Sequence, residues 1–199
     1  SLGRDEILRA TAETASENAV DGLFAPLFWM LVGACLWSLG FSASPGPLAL
    51  AWAFKAASTL DSMLGYRRGR LRWLGTAGAR LDDLLTWLPC RLVMLSLPMV
   101  SKPIWQWPAT VLKAESQGRH DASPNAGRSE AIYAQCAGVQ LGGRNRYGDR
   151  WVDKDLLGAD QPIADRDGVI RILRLTQRLE LLWLLAVAFC SWRLQASVQ

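Results

Sequence analysis

The sequence predicts an all-α fold: a polytopic bundle of membrane-spanning helices with amphipathic helices and a cytoplasmic polar loop region. Half of the 199 residues are apolar and a fifth are charged, and the apolar residues are concentrated in four runs, 23–41, 47–60, 84–100 and 179–192. The first run has 19 residues without a charge, just enough to cross the hydrocarbon of a bilayer. The other three are shorter or contain a charge, a pattern that buried core helices share. Together the runs favour a single membrane-embedded domain over 1–199.

The tryptophans and arginines are distributed as in a membrane protein. Most of the ten Trp lie in or beside the apolar runs, where interfacial aromatic anchors are found. Five arginines closely follow the second run: Arg67, Arg68, Arg70, Arg72 and Arg80. A soluble protein could use such a patch on nucleic acid, whereas beside an apolar segment it indicates a cytoplasmic loop, here 65–80. We therefore expect contact with membrane lipid and none with nucleic acid.

The topology can place every polar segment on one side of the membrane. A hairpin of the first two runs around the turn 41–47 leaves residues 1–22 on the cytoplasmic side with the basic loop. A hairpin or re-entrant pair over 84–112, kinked at Lys102-Pro103, returns residues 113–178 to the same side. The active face is then cytoplasmic.

The C-terminal half is expected to alternate short helices and loops. Ser129 is predicted as the N-cap of a short helix that ends at Gly142-Gly143. Residues 144–168 are predicted as a charged loop. Asp165 or Asp167 then begins a last helix, which is polar at first and apolar from residue 179.

An amphipathic helix over 5–20 carries the first candidate site. Glu13, Glu17 and Asp21 follow one another at intervals of four, so they lie on one face, with Asn18 beside them. Such a group could bind Mg²⁺, which takes one or two carboxylates together with substrate phosphates. The same spacing is also found on solvated helix faces. The position next to a membrane segment favours a function, because unpaired charge is costly there.

Lys55 is the second candidate, because it lies midway along the second apolar run. An ionisable group in such a segment is by default a functional hypothesis. Asp61, six residues further on, is too distant for an ordinary i, i+4 pair. The alternative is a structural pair between Lys55 and a carboxylate of another helix.

Charges of both signs surround the start of the third run. Arg80, Asp82 and Asp83 precede it, and Arg91 lies within it. These residues could form an internal ion-pair network. Arg91 could instead bind a phosphate or carboxylate with two parallel hydrogen bonds.

The segment 120–127 is the most informative polar stretch. Its turn residues, which include Ser123, Asn125 and Gly127, lead into a predicted helix whose free N–H groups suit an anion such as phosphate. Glu130 follows within the helix. His120 is the only histidine, and a lone loop histidine is also an ordinary surface residue. The sequence contains none of the motifs GxxxxGK[ST], GxGxxG, GxSxG or HExxH.

Four segments together resemble, in this order, the adenosylcobinamide-phosphate synthase family. They are ETASENAVDGLFAPLF (13–28), FKAASTLDSMLGYR (54–67), RLDDLLTWLPCRL (80–92) and SPNAGRSEAIYAQCAGVQLGG (123–143). The resemblance covers nearly the whole chain and corresponds to the central and C-terminal part of the family. Ser58 and Thr86 stand where the family often has Asn, and Cys90 stands where it usually has Ala.

The resemblance implies an enzyme of cobalamin (vitamin B12) assembly in the bacterial inner membrane. The family joins a corrinoid carboxylate, in adenosylcobyric acid, to the amine of 1-amino-2-propanol or its O-phosphate. The resulting amide is adenosylcobinamide or its phosphate, and ATP with Mg²⁺ is the expected energy source. Other cobalamin-assembly enzymes are possible partners. The alternatives are a non-catalytic membrane scaffold for those enzymes and a transporter subunit.

Residue roles follow from this expected chemistry. Glu17, Asp21, Asp82 and Asp83 would bind the metal or act as the base. The cations Lys55, Arg80 and Arg91 would bind phosphate or the corrinoid carboxylate. Asn18 and Asp61 are expected at the substrate. The loop with Ser123, Asn125 and Gly127 would close on the aminopropanol phosphate, anchored by Glu130.

Overall fold

A computed structural model describes residues 3–64, 72–147 and 150–196. Over these residues the chain is mostly helical, with one β-hairpin. The helices are α1 (Arg4–Asn18), a π-helical turn (Ala19–Phe24), α2 (Ala25–Ser38), α3 (Pro47–Leu64), α4 (Arg72–Ser96), α5 (Trp107–Gly118), α6 (Ala126–Ala137) and α7 (Arg166–Ala196). Two 3₁₀ turns, Leu97–Val100 and Ile104–Gln106, join α4 to α5, and strands β1 (Leu141–Tyr147) and β2 (Arg150–Leu157) separate α6 from α7.

Helices α2 and α3 form the predicted hairpin. The indole N–H of Trp37 donates to the carbonyl of Ser44 at 3.0 Å, which closes the turn. Gly33 allows the close approach of the two helices, because a Cβ there would lie 2.8 Å from the backbone of Pro47. The predicted turn at 41–47 is therefore confirmed.

The hydrophobic core is built around α6, which is buried along nearly its whole length. Ile132 and Tyr133 are fully buried among side chains of α1, α4 and α7. The Tyr133 hydroxyl and the Thr176 hydroxyl of α7 share a hydrogen bond of 2.9 Å. α5 packs against the other side of α6. α6 is thus the element on which the rest of this half is assembled.

Two stretches of described helix are long and apolar enough to cross a membrane, Arg4–Ser38 and Trp73–Val100. They meet that criterion by length and composition, as a core helix of a soluble protein also can. Only 28% and 39% of their most apolar windows are buried, however, which supports membrane association. The runs 47–60 and 179–192 lie in α3 and α7, and neither helix meets the criterion over its described residues.

The hairpin corrects the all-α prediction. Residues 144–168 were expected to form a charged loop, yet β1 and β2 pair antiparallel with a register shift between Leu141 and Gly143. The alternation of charged residues with Tyr, Trp and Val in these strands is a weak strand pattern, and the many charges concealed it. Gly142, at φ +77, provides the backbone conformation at the shift.

The bounds of α6 also differ from the prediction. The helix begins at Ala126 with Asn125 as its N-cap, and Ser129 is buried inside it. It ends at Ala137, because Gly138 adopts the left-handed conformation that terminates helices. Sequence reasoning placed the end four residues too late because two later glycines serve the hairpin.

The expected loop at 65–80 is shorter than predicted. α4 begins at Arg72, so residues 72–80 are helical, and the remaining residues of this prediction, 65–71, lie outside the described part of the chain. The predicted break at Lys102-Pro103 is confirmed between the two 3₁₀ turns. Asp165 caps α7, since its carboxylate accepts a hydrogen bond of 2.7 Å from the Gly168 N–H.

Candidate active site

Carboxylates from two parts of the chain meet beside α4. Asp21 lies in the π-helical turn after α1, and this turn packs against α4, which carries Asp82 and Asp83. The charges that act most strongly on Asp21 are those of Asp82, Glu17 and Asp83, in that order. Short π-helical turns inside longer helices are rare, and those that are found lie frequently at functional sites. The structure therefore groups the four carboxylates to which the sequence analysis assigned metal binding or base work.

Helix α3 forms a second wall of this site. Asp61, Lys55 and Ser58, all on α3, are the neighbours from this helix that act on the Asp82 carboxylate. Lys55 is exposed at an apolar groove along α3 that includes Trp52, Leu60 and Met63. The carboxylate of another helix that could pair with Lys55 is thus Asp82.

The loop before α6 is attached to Asp83. The Ser123 hydroxyl donates to Asp83 Oδ1 at 2.9 Å, and Asn125 Nδ2 donates to the Asp83 carbonyl at 2.8 Å. Ser123 Oγ in turn accepts from the N–H groups of Asn125 and Ala126. The first amide of α6 is therefore satisfied from within the loop. The loop and α4 form one continuous polar wall.

Arg91, about two turns further along α4 than Asp83, holds the same loop. Its Nη1 donates to Asn125 Oδ1 at 2.6 Å, and its Nη2 donates to the Pro124 carbonyl at 3.0 Å. The guanidinium also lies 4.9 Å from the centroid of the Trp87 ring. In this structure Arg91 positions the loop, and binding of substrate by Arg91 stays a prediction.

A second buried acidic group lies where the hairpin meets α1 and α6. Glu130 is 1% exposed and accepts a hydrogen bond of 3.3 Å from Lys154 Nζ of β2. Burial raises the pKa of Glu130 to about 7, although the Lys154 charge opposes this. Glu13 accepts a hydrogen bond of 2.9 Å from the Gly142 N–H, so α1 holds the register shift of the hairpin. Glu17 is a charged neighbour of both Asp21 and Glu130, and so connects the two groups.

The substrate-binding roles of Asn18, Arg80 and Gly127 stay predictions. Asn18, at the end of α1, and Arg80, on α4, are exposed. Gly127 lies against α5, because a Cβ on it would be 2.6 Å from the Gly118 carbonyl oxygen. Close packing of α6 against α5 therefore explains why residue 127 is a glycine, which the sequence motif did not reveal.

The carboxylates do not form a complete metal site by themselves. In the described segments 3–64, 72–147 and 150–196, no three His, Cys, Asp or Glu side chains are close enough together to hold a metal ion. Mg²⁺ commonly uses one or two carboxylates and completes its shell with water and substrate phosphates. The residues present fit that kind of site, in which the substrate supplies further ligands.

Sequence reasoning missed three contributors to these surroundings: Ser58, Thr86 and Lys154. Ser58 and Thr86 carried a signal, because both depart from residues common in the resembled family. Lys154 carried none, since it lies in a charged segment whose strand pairing was not predicted.

The fold and the site describe a largely helical protein with a carboxylate-rich site beside two helices that could enter a membrane. A family model described as "CobD/Cbib protein" matches residues 1–176. The chain is 49% identical over 159 residues to "Cobalamin biosynthesis protein CobD" of Synechocystis sp., with 79% of this chain and 44% of that protein covered. It is 37% identical over 191 residues to the CobD protein of Yersinia enterocolitica, with 94% and 55% covered. It is 38% identical over 176 residues to "Cobalamin biosynthesis protein CbiB" of Salmonella arizonae, with 87% and 51% covered.

The chain belongs to the CobD/CbiB family, which confirms the resemblance based on the four sequence segments. It spans about half the length of these curated relatives. No solved structure matches the chain significantly.

Proposed function

We propose that this chain acts in cobalamin biosynthesis, as part of an enzyme that joins adenosylcobyric acid to (R)-1-amino-2-propanol or its O-phosphate. The relatives are named for cobalamin biosynthesis, which supports the pathway. The observation that carries the reaction is the proximity of Asp21 to Asp82 and Asp83, of which Asp83 accepts hydrogen bonds from Ser123 and Asn125 of the loop. A carboxylate-rich corner with the cation Lys55 close to Asp82 suits a reaction between charged groups.

The proposed reaction needs activation of the corrinoid carboxylate, because a carboxylate does not react with an amine at neutral pH. ATP transfers its terminal phosphoryl group to the carboxylate, which gives an acyl phosphate and ADP. The ammonium of the second substrate loses a proton to a carboxylate base, and the free amine attacks the acyl carbon. The C–N bond forms, the bond from carbon to the phosphate oxygen breaks, and phosphate leaves with the remaining proton.

The residues take their roles from this scheme. Glu17, Asp21, Asp82 and Asp83 supply the base and the protein ligands of Mg²⁺, which would reduce repulsion between the phosphates and the site. Lys55 and Arg80 would attract the phosphates or the corrinoid carboxylate, and Asp61 and Asn18 would contact the substrate. Ser123 and Asn125 are hydrogen-bonded to Asp83. Closing of the loop on the amine substrate would therefore move or orient the Asp83 carboxylate.

We place this reaction on the cytoplasmic face of the bacterial inner membrane, with the chain crossing it several times. The exposed apolar side chains of α3 and α4, among them Trp52 and Leu84, support contact with lipid. Contact with lipid tails would remove this apolar surface from water.

The test is amide formation by the full-length protein purified in detergent, with adenosylcobyric acid, 1-amino-2-propanol or its phosphate, ATP and Mg²⁺. Replacing both Asp82 and Asp83 by Ala should lower the rate by roughly a hundredfold or more, since preorganised charges contribute that much. Asp160→Ala is the matched control, because Asp160 is exposed and pairs with Lys113 away from α4. A folded wild-type protein that makes no amide would contradict the proposal and favour a scaffold. Substrate flux without product would favour a transporter.

A further inference from the structure

Two buried oxygen atoms on α4 have no hydrogen-bond partner among the described residues. They are Asp82 Oδ1 and the Thr86 hydroxyl. Thr86 is only 1% exposed, so its hydroxyl is not in contact with bulk water. An unsatisfied buried polar group costs roughly 1–3 kcal/mol, and such groups in native proteins call for an explanation.

Asp21 lies on a turn that packs against the helix carrying both oxygens. Asp82, Thr86 and Cys90 follow one another at intervals of four, so they lie on one face of α4. The π-helical turn that contains Asp21 packs against α4. The Asp21 charge acts on Asp82 at one end of this face and on Cys90 at the other. Asp21 is therefore near the face of α4 that carries Thr86.

The charges around these atoms select a cation as the ligand. Asp61 and Asp83 are the next carboxylates near Asp82, and Lys55 is the cation close to it. The described carboxylates do not group closely enough to hold a metal on their own. An ammonium has three N–H donors and no acceptor, so it can donate to Asp82 Oδ1, to the Thr86 hydroxyl and to a second carboxylate.

We propose that Asp82, Thr86 and Asp21 form the binding site for the ammonium group of a small amino-alcohol substrate. This inference rests on the proposed function for the identity of the amine. It adds Thr86 as a substrate-binding residue and gives Asp21 and Asp82 to the amine. Mg²⁺ is then left to Glu17, Asp83 and the phosphates of the substrates.

The decisive variant is Thr86→Val, which removes the hydroxyl and preserves the shape of the side chain. Binding of 1-amino-2-propanol to the full-length protein in detergent is measured by calorimetry, and the melting temperature is recorded for each variant. Loss of one hydrogen bond to a charged group corresponds to a dissociation constant roughly ten- to a hundredfold weaker. Since the hydroxyl has no partner in the unliganded protein, the melting temperature should stay unchanged or rise.

Three further variants and one neutral probe accompany this variant. Thr86→Ser retains a hydroxyl and should bind the amine as the wild type does. Asp82→Asn removes the charge and should weaken binding as Thr86→Val does. Thr110→Val is the matched control, because Thr110 lies on α5 and its hydroxyl already donates a hydrogen bond to the Gln106 carbonyl. The neutral probe 1,2-propanediol, which has a hydroxyl in place of the ammonium, should not bind at this site.

Mn²⁺ in place of Mg²⁺ separates the amine from a metal. Loss of Mn²⁺ binding in Thr86→Val with unchanged amine binding would overturn the proposal, and so would unchanged binding of both. A melting temperature well below that of the wild type would also overturn it, because the hydroxyl would then have a structural partner. Amine binding that depends on Thr86, without amide formation, would support this site and contradict the proposed reaction. Amide formation, together with amine binding that Thr86→Val leaves unchanged, would support the proposed reaction and contradict this site.

Discussion

At the scale of single residues, Glu130 is the clearest case of a side chain whose surroundings oppose its charge. The carboxylate is buried in α6, and Lys154 of β2 is its hydrogen-bonding partner. Breaking a buried ion pair from one side usually costs stability, because it leaves the other charge uncompensated. Lys154 is partly exposed, however, so it can be hydrated if Glu130 is neutral.

We predict that Glu130→Gln makes the protein more stable at neutral pH than the wild type. The pKa of Glu130 is about 7 in the folded protein and 4.5 as a reference, so the folded protein binds more protons between these values. Stability then falls as pH rises through this window, by roughly 3 kcal/mol for this group. The difference in melting temperature between variant and wild type should therefore grow from pH 4.5 to about 7 and then level off.

Glu115→Gln is the control of opposite sign for this titration. Two hydrogen bonds from Arg128 lower the pKa of Glu115, so its contribution to stability is present at neutral pH and is lost as pH falls through the folded pKa. A Glu130→Gln variant whose melting profile runs parallel to that of the wild type would contradict the assigned pKa.

At the scale of elements, the α5–α6 pair explains a glycine that the sequence analysis assigned to substrate. Gly118 and Gly127 face each other, and a Cβ on Gly118 would lie 2.5 Å from the Gly127 carbonyl oxygen. A Cβ on Gly118 would meet backbone of α6, whereas a Cβ on Gly127 would meet the Asp121 side chain as well as the α5 backbone. The loop that carries Ser123 and Asn125 spans this crossing, and its position depends on it.

We predict that Gly118→Ala and Gly127→Ala destabilise the protein by similar amounts, about 1–3 kcal/mol, as overpacked sites do. If Gly127 only bound substrate, Gly127→Ala would lower activity and leave the free energy of unfolding unchanged. Gly78→Ala is the control, because a Cβ there meets ordinary contacts at 3.5 Å in the middle of α4. Pulse proteolysis gives the free energies of unfolding.

At the scale of the whole molecule, apolar surface is left exposed on several helices. Trp52 of α3, Leu84 of α4 and Leu185 of α7 are each about two-thirds exposed or more. In the proposed topology, the polar loop 119–125 lies on the cytoplasmic side of the membrane and the turn at 41–46 lies on the opposite side. The membrane model therefore separates these two segments on different sides.

We predict that a membrane-impermeant thiol reagent labels Ala43→Cys in intact cells and Ala122→Cys only in opened cells. Both alanines are exposed, so accessibility depends on the side of the membrane. The background lacks Cys35, which is exposed, and Cys190; Cys90 and Cys136 are buried. Equal labelling of both positions in intact cells would contradict the topology.

Local sequence was sufficient to predict the helical segments, the family and the residue types of the site. Those properties depend on short-range spacing: the intervals of four that align Glu13, Glu17 and Asp21, and the turn residues before α6. Asp165 and Pro103 marked a helix start and a chain break correctly because capping and proline geometry act over a few residues.

Which of these groups meet depends on packing between distant parts of the chain. Asp82 lies opposite Asp21 and beside Ser58 because α4 packs against the π-helical turn and α3, contacts between residues far apart in sequence. The hairpin was missed since its pairing is satisfied by cross-strand contacts and by Glu13, more than a hundred residues away. The two unpartnered oxygens of α4 depend on what packs around that face, because burial and hydrogen-bond partners are set by three-dimensional neighbours.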